Sequence, residues 1–237
     1  MRDLFRTAVL ASQATVERRD PMERALVIEA SDLGLDPARL RADAPLLAAY
    51  SFDSFRKRMT LVRSLDGTPV ARVKGAPRET LVLCATIRVG ADVIPLTDAW
   101  RDAFLRQHDR LAGEGLRLLA VARRPIPSAL VGVAEHEVEC ALTLLGFVAL
   151  WDPPRAEVPN AVALCQRAGI RIVMLTGDYG LTGQAIGRRI GLSADKVVNG
   201  HEVERLDVIS LRRLAREPGV LFARMSPVHK LAVVEAL

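Results

Sequence analysis

The chain has 237 residues, half of them hydrophobic, and 33 basic against 28 acidic side chains give it a net charge of +5. That is enough apolar material for one large or two modest cores, and no apolar run approaches the roughly 20 residues that cross a bilayer. Aromatic residues make up only 4% of the chain and its cations are interleaved with acids, which argues against a nucleic-acid surface.

The charged first turn, Met1-Arg2-Asp3-Leu4-Phe5-Arg6, shows no signal-peptide pattern, so the expected compartment is the cytoplasm. Residues 1–14 have helical periodicity. Asp20-Pro21 reads as an N-cap followed by proline at the first helical position, opening a helix over 22–32 that Gly34 ends. Asp36-Pro37 repeats the signal for a shorter helix. Residues 46–52, 59–65 and 70–74 read as strands, the last two joined by the hairpin turn Asp66-Gly67-Thr68. A helix follows over 77–83, an amphipathic one over 98–113, and apolar β-rich runs over 116–123 and 139–149. The first 150 residues thus read as an antiparallel sheet with helices packed on it.

The pattern changes near residue 150. Asp152-Pro153-Pro154-Arg155 opens a helix to about residue 168. A strand over 170–175, the turn Thr176-Gly177-Asp178, a helix to 190 and a short strand over 196–198 come next. A helix over 207–215, a strand over 220–223 and a final helix from Pro227 complete the chain. Alternating strands and helices imply a parallel, doubly wound sheet. The expected domains are 1–150 and 151–237.

The three cysteines, Cys84, Cys140 and Cys165, are far apart among apolar neighbours. They read as reduced core thiols rather than a disulfide framework or a metal site. Only four of the 33 cations are lysines: Lys57, Lys74, Lys196 and Lys230. Arginine and lysine are not interchangeable where a compact ammonium must fit a narrow site, and three of these lysines fall in the segments richest in chemistry.

In Val73-Lys74-Gly75-Ala76-Pro77 a strand ends in a lysine, and two small residues allow a ligand close to the backbone; an ordinary strand-to-helix turn reads the same way. In Phe52-Asp53-Ser54-Phe55-Arg56-Lys57-Arg58 two aromatics stand beside three cations. That suits a purine and its phosphates, or equally a charged edge strand. The run 170–175 delivers Thr176-Gly177-Asp178 to the carboxyl end of a parallel strand, where open α/β sheets bind ligands. In Arg224-Met225-Ser226-Pro227-Val228-His229-Lys230, Ser226 caps a helix and Lys230 sits against the dipole in its first turn. That conflict suggests pairing with a phosphate. His229 reads as a satisfied surface histidine rather than a catalyst.

These segments, in this order and spacing, resemble the P-type cation pumps. Lys74-Gly75-Ala76-Pro77 is similar to the family's Lys-Gly-Ala-Pro-Glu motif, with Arg78 interposed before Glu79. Asp20-Pro21-Met22-Glu23-Arg24-Ala25-Leu26 is similar to Asp-Pro-Thr-Glu-x-Ala-Leu. Asp152-Pro153-Pro154-Arg155 looks like the hinge of calcium or sodium/potassium pumps rather than heavy-metal pumps. Thr176-Gly177-Asp178 and the segment from Ala223 to Lys230 look like the phosphorylation-domain motifs.

The resemblance covers essentially the whole chain and implies an α/β fold. A nucleotide-binding domain of antiparallel sheet plus helices would be followed by an incomplete haloacid-dehalogenase-like (Rossmann-like) domain with an exposed strand edge. It implies ATP, with Mg²⁺ accompanying it, as ligand. Phe52 would stack on adenine, with Phe55 a rival, Lys57 and Lys74 would line the pocket beside Gly75 and Ala76, and Glu23 would approach the base. Arg117 would reach the phosphates, and Arg224 would belong to the nucleotide-binding set. Thr176, Gly177 and Asp178 would meet the γ-phosphate and Lys230 would neutralise the acyl phosphate, with the triphosphate gripped between two lobes. Phosphoryl transfer needs mainly such positioning and charge neutralisation.

The family's Asp-Lys-Thr-Gly-Thr and Gly-Asp-Gly-x-Asn-Asp sequences do not occur here. The expectation is therefore an ATP-binding portion of a pump that does not turn over alone, holds no metal of its own, is monomeric in isolation, and has the remaining membrane and actuator domains as partners. The alternatives are a free-standing haloacid-dehalogenase-class phosphatase and a non-catalytic regulatory module.

Overall fold

The structure is a computed structural model describing residues 1–12 and 20–237. It divides into two compact units, Met1–Arg106 with Leu118–Leu150, and Gln107–Arg117 with Trp151–Leu237.

The first unit opens with α1 (Arg2–Leu10), α2 (Pro21–Asp32) and α3 (Pro37–Ala42). The helix expected over 1–14 thus stops at Leu10, and its residues 13 and 14 lie outside the described residues. Asp20 and Asp36 cap α2 and α3 as their Asp-Pro pairs require: each side chain accepts two backbone N–H groups of the first turn that would otherwise lack partners. Next come β1 (Leu46–Asp53), β2 (Arg58–Leu65), β3 (Thr68–Gly75), α4 (Pro77–Leu81), β4 (Cys84–Val89) and β5 (Asp92–Pro95). The β2–β3 turn has Asp66 and Gly67 at φ 50° and 80°, a backbone path that matches strand twist. The β4–β5 hairpin was not expected from the sequence. Gly90, at φ 63°, makes the turn.

Helix α5 (Asp98–Gly113), β6 (Arg117–Pro125), the short α6 (Glu135–Val138) and β7 (Leu142–Leu150) follow. The seven strands lie in the order β1-β2-β3-β6-β7-β4-β5. Pairs β1–β2, β2–β3, β3–β6 and β4–β5 are antiparallel. The pair β4–β7 is parallel, which the expected antiparallel sheet did not include; its crossover contains α5, the kind of long connection a parallel pair needs.

Strand alternation sends successive side chains to opposite faces. On β6, Ala120 and Ala122 join a core with Val73, Leu142, Leu144 and Phe104, where Phe104 meets Phe147 edge-on at 4.7 Å. Between them Val121 faces the other way, into a core with Phe5 and Val9 of α1 and Leu26 of α2. The sheet is therefore sandwiched by helices. On β3, Val73 belongs to the first face, so its neighbour Lys74 projects toward α1 and α2.

The second unit contains α7 (Val158–Arg167), β8 (Met174–Leu175), α8 (Gly180–Arg189), β9 (Lys196–Asn199), α9 (Gly200–Val203), α10 (Val208–Arg216), β10 (Val220–Ala223) and α11 (Pro227–Ala236). Its sheet has the order β8-β10-β9, and both pairs are parallel. Phe222, Val198 and Val233 anchor its core. Two expectations fail here. The helix expected from residue 152 begins at Val158, with Pro159 in its first turn; Asp152 and Pro153 each precede a proline, which disfavours the helical region there. The strand expected over 170–175 shrinks to Met174–Leu175. Its partner supplies Leu221 and Phe222 in register; Ile172 and Arg171 would face Gly219 and Pro218, and proline cannot donate to a ladder.

Cysteine placement is also corrected. Cys84 is buried, as expected, and burial pushes its thiol up to about 12. Cys140 and Cys165 are only half-buried, and Cys140 Sγ lies 2.8 Å from the Arg124 guanidinium.

Candidate functional site

In the first unit, three segments distant in sequence meet at one end of β1, β2 and β3. Lys74 is 5% exposed. Its ammonium donates to Ser12 Oγ at 2.5 Å, just beyond α1, and is paired with the Glu23 carboxylate 51 positions away. Glu23 stands at the third position of α2, where a helix dipole favours an acid. Burial lowers the Lys74 pKa below the ordinary lysine value, and Glu23 opposes that shift. The expected lysine is thus a held group with a defined direction, not a loose surface cation.

The turn between β1 and β2 carries the aromatic and cationic run. The β1–β2 register shifts between Tyr50 and Asp53, and such irregularities re-aim side chains. Phe52 is 64% exposed there and Phe55, on the turn, 92%. Either offers a free ring face, so the choice of stacking residue stays open. Asp53 shapes the turn. Its carboxylate accepts the backbone N–H groups of Phe55 at 2.9 Å and Arg56 at 2.8 Å. These bonds, that from Arg56 foremost, hold its pKa below the ordinary aspartate value.

Lys57 has φ 52° and pairs with Glu79 at 2.8 Å, in the first turn of α4. Its carbonyl accepts the Ala76 N–H at 2.9 Å. Gly75 lies directly across from Arg58. A Cβ on Gly75 would stand 2.4 Å from Arg58 Cβ and 2.7 Å from the Lys57 oxygen. The close approach that makes glycine necessary is therefore the chain's own turn, whereas the sequence suggested a ligand. Glu23 and Lys74 are in contact, Lys57 adjoins Ala76 at the same end of the sheet, and Phe52 lies near the end of the neighbouring strand β1.

Sequence reasoning missed the acid beneath this turn. Residue 139 was expected to begin a strand; instead Glu139 sits ahead of β7 with a fully buried side chain. It accepts from Arg56 Nη1 at 2.6 Å, Arg58 Nε at 2.7 Å and Thr60 Oγ1 at 2.6 Å. No local signal marks it, since its partners lie about 80 positions earlier in the chain.

The second unit gathers the other motifs. Thr176 follows β8 and Arg224 follows β10, so adjacent parallel strands deliver both to one edge. The Thr176 N–H donates to the Phe222 oxygen at 2.8 Å, that of Met225 to the Thr176 oxygen at 3.0 Å, and that of Arg224 to the Asp178 oxygen at 3.0 Å. Thr176 Oγ1 accepts the Asp178 N–H at 3.0 Å. A Cβ on Gly177 would meet nothing nearer than 3.8 Å, which leaves the turn's outer side open. Arg224, at φ 54°, lies over the Tyr179 ring at 5.3 Å.

Arg117 belongs to this unit and is committed to two carboxylates, Asp178 at 2.8 Å and Asp152 at 3.2 Å. The Asp178 bond raises its pKa. Ser226 caps α11 by accepting the His229 N–H at 3.2 Å, while the Ser226 N–H donates to His229 Nδ1 at 3.2 Å. An accepting Nδ1 places the proton on Nε2, which donates to Glu204 at 2.6 Å. His229 is thus a satisfied capping group, as the sequence suggested. Lys230, next in α11, is exposed and makes no ion pair among the described residues.

Among the described residues no group of three or more His, Cys, Asp or Glu is placed to hold a metal ion, and no helix is long and apolar enough to cross a membrane. Residues 4–157 match the family described as "P-type ATPase, cytoplasmic domain N". The chain is 33% identical, over 92% of its length, to calcium-transporting ATPase 1 of Lactococcus lactis. It is 37% identical, over 92% of its length, to the probable cation-transporting ATPase F of Mycobacterium tuberculosis. Against the endoplasmic reticulum calcium ATPase srcA of Aspergillus fumigatus the identity is 33% over 86% of the chain. It spans about a quarter of the length of these relatives, 25%, 24% and 23% respectively.

Proposed function

The chain belongs to the P-type ATPase family, in which it carries the cytoplasmic domain N, and from that premise we propose that it is the ATP-binding part of a cation pump. The observation that carries the reading is the convergence of Glu23, Lys74, Lys57 and Phe52 on one end of a single sheet. An exposed ring supplies a π-face for adenine, and the fixed ammonium of Lys74 supplies a directed cation. Glu23 and Lys57 flank the base, and Gly75 and Ala76 give the backbone path between them. Held geometry lowers the ordering cost of binding.

Residues 151–237 are read as part of a haloacid-dehalogenase-like phosphorylation domain. Thr176, Gly177 and Asp178 would receive the terminal phosphoryl group, Arg117 and Arg224 would steady the phosphates, and Lys230 would offset negative charge. Mg²⁺ would arrive with the nucleotide. In the whole pump these residues would act beside an aspartyl phosphate on the cytoplasmic face, with membrane and actuator domains as partners.

Calorimetric titration tests this directly. The chain should bind ATP with about one site per molecule, and radiolabelled ATP should leave no acid-stable phosphoprotein. Failure to bind any nucleotide would favour a regulatory module, and steady hydrolysis of a simple phosphate ester would favour a free-standing phosphatase.

A further inference from the structure

We infer that Glu139 is a positioning residue for the nucleotide site, sorting the three consecutive cations Arg56, Lys57 and Arg58 into two that hold the turn and one, Lys57, that turns aside to pair with Glu79. The inference rests on the nucleotide reading above and extends it to a residue outside the motifs that led there. The Glu139 side chain is wholly buried, and both its oxygens are engaged: Oε1 by Arg56 and Thr60, Oε2 by Arg58. A carboxylate can be buried only when paired and hydrogen-bonded, and these three donors meet that demand.

The two arginines extend the clamp into the backbone. Arg56 Nη2 donates to the Ser51 oxygen at 2.8 Å, and Arg58 Nη1 donates to the Arg56 oxygen at 2.9 Å. One buried acid thereby fixes the turn at both ends. Phe52 and Phe55 are presented between those ends. Lys57 alone is rotated away, through its positive φ, toward Glu79.

Two consequences follow. The clamp keeps the aromatic ring and Lys57 in one arrangement, which matters for the base of a nucleotide. It also ties down two guanidinium groups, Arg56 lying 3.9 Å from Glu135 as well, that would otherwise be free to reach a polyphosphate. Glu139 therefore favours recognition of the base over bare phosphate charge.

The test compares wild type, Glu139→Gln and Thr60→Val in two measurements. The first is the affinity for ATP and for inorganic tripolyphosphate. The clamp predicts that Glu139→Gln weakens ATP binding by about 10-fold, the loss of one charge-assisted interaction, while tripolyphosphate binding stays equal or tightens. Equal weakening of both, or no change in either, overturns the proposal and leaves Glu139 a purely structural acid. The second is amide hydrogen exchange in the absence of ligand. Exchange at the Phe55, Arg56 and Lys57 amides should accelerate in Glu139→Gln while β6 stays protected, and unchanged protection at the turn overturns the clamp. Thr60→Val keeps both ion pairs, so it folds even if Glu139→Gln does not. It should show the same pattern at about one third the size, and its absence there counts equally against the proposal. If wild type binds neither ligand, the nucleotide reading fails while the exchange data still decide the clamp.

Discussion

Replacing Lys74 with alanine is expected to weaken ATP binding by roughly 10- to 100-fold, the range that a lost charge-assisted hydrogen bond of about 1.5–3 kcal/mol gives. The same change at Lys230 should alter it less than about threefold, below 0.7 kcal/mol. The two lysines differ in setting. Lys74 is held by Ser12 and Glu23 at the end of β3, so its charge has one direction and little freedom to lose on binding. Lys230 is exposed on α11, and a solvated lysine contributes little to an equilibrium affinity. Circular dichroism should show both variants folded. Calorimetry then separates the cases: if both variants bind as wild type does, the assigned pocket is wrong.

A large effect on stability is expected at Glu139. Glu139→Ala removes the acceptor for two arginines whose side chains are only 19% and 14% exposed. Breaking a buried pair from one side typically costs about 3–5 kcal/mol, because the remaining charges stay desolvated. The melting temperature should fall by roughly 6–20 °C at about 2–4 °C per kcal/mol for a chain of this size. Glu137, two residues earlier and exposed, serves as control, and Glu137→Ala should stay within about 0.5 kcal/mol of wild type. Equal melting temperatures for the two variants would mean that Glu139 does not hold the turn.

What could be read from the sequence followed local chemistry. Asp20-Pro21 and Asp36-Pro37 announced α2 and α3 because an aspartate cap and a proline at the next position each satisfy helix-start geometry without outside help. Asp66-Gly67 announced the β2–β3 hairpin for the same reason. Lys74 and Glu23 were both singled out, and strand alternation explains why they meet: Val73 turns into one core and Lys74 toward the opposite helices.

What escaped depended on partners far along the chain. The run 170–173 has the composition of a strand, yet pairing is decided by the neighbour, where Gly219 and Pro218 would stand opposite Ile172 and Arg171. Glu139 looked like the edge of an apolar run, and only the folded sheet reveals the arginines that neutralise it. Gly75 carried a correct signal with a different cause, since the group that crowds it is the Lys57–Arg58 backbone. The β4–β5 hairpin was marked by Gly90 in an alternating run and could have been recognised from that glycine.

The most direct measurement is chemical-shift mapping of the isotope-labelled chain during ATP titration. Saturable shifts are expected in the amides of Glu23, of residues 52–57 and of residues 74–76, all with a single dissociation constant. Saturable shifts confined to other parts of the molecule, with these three segments unmoved, would contradict the site.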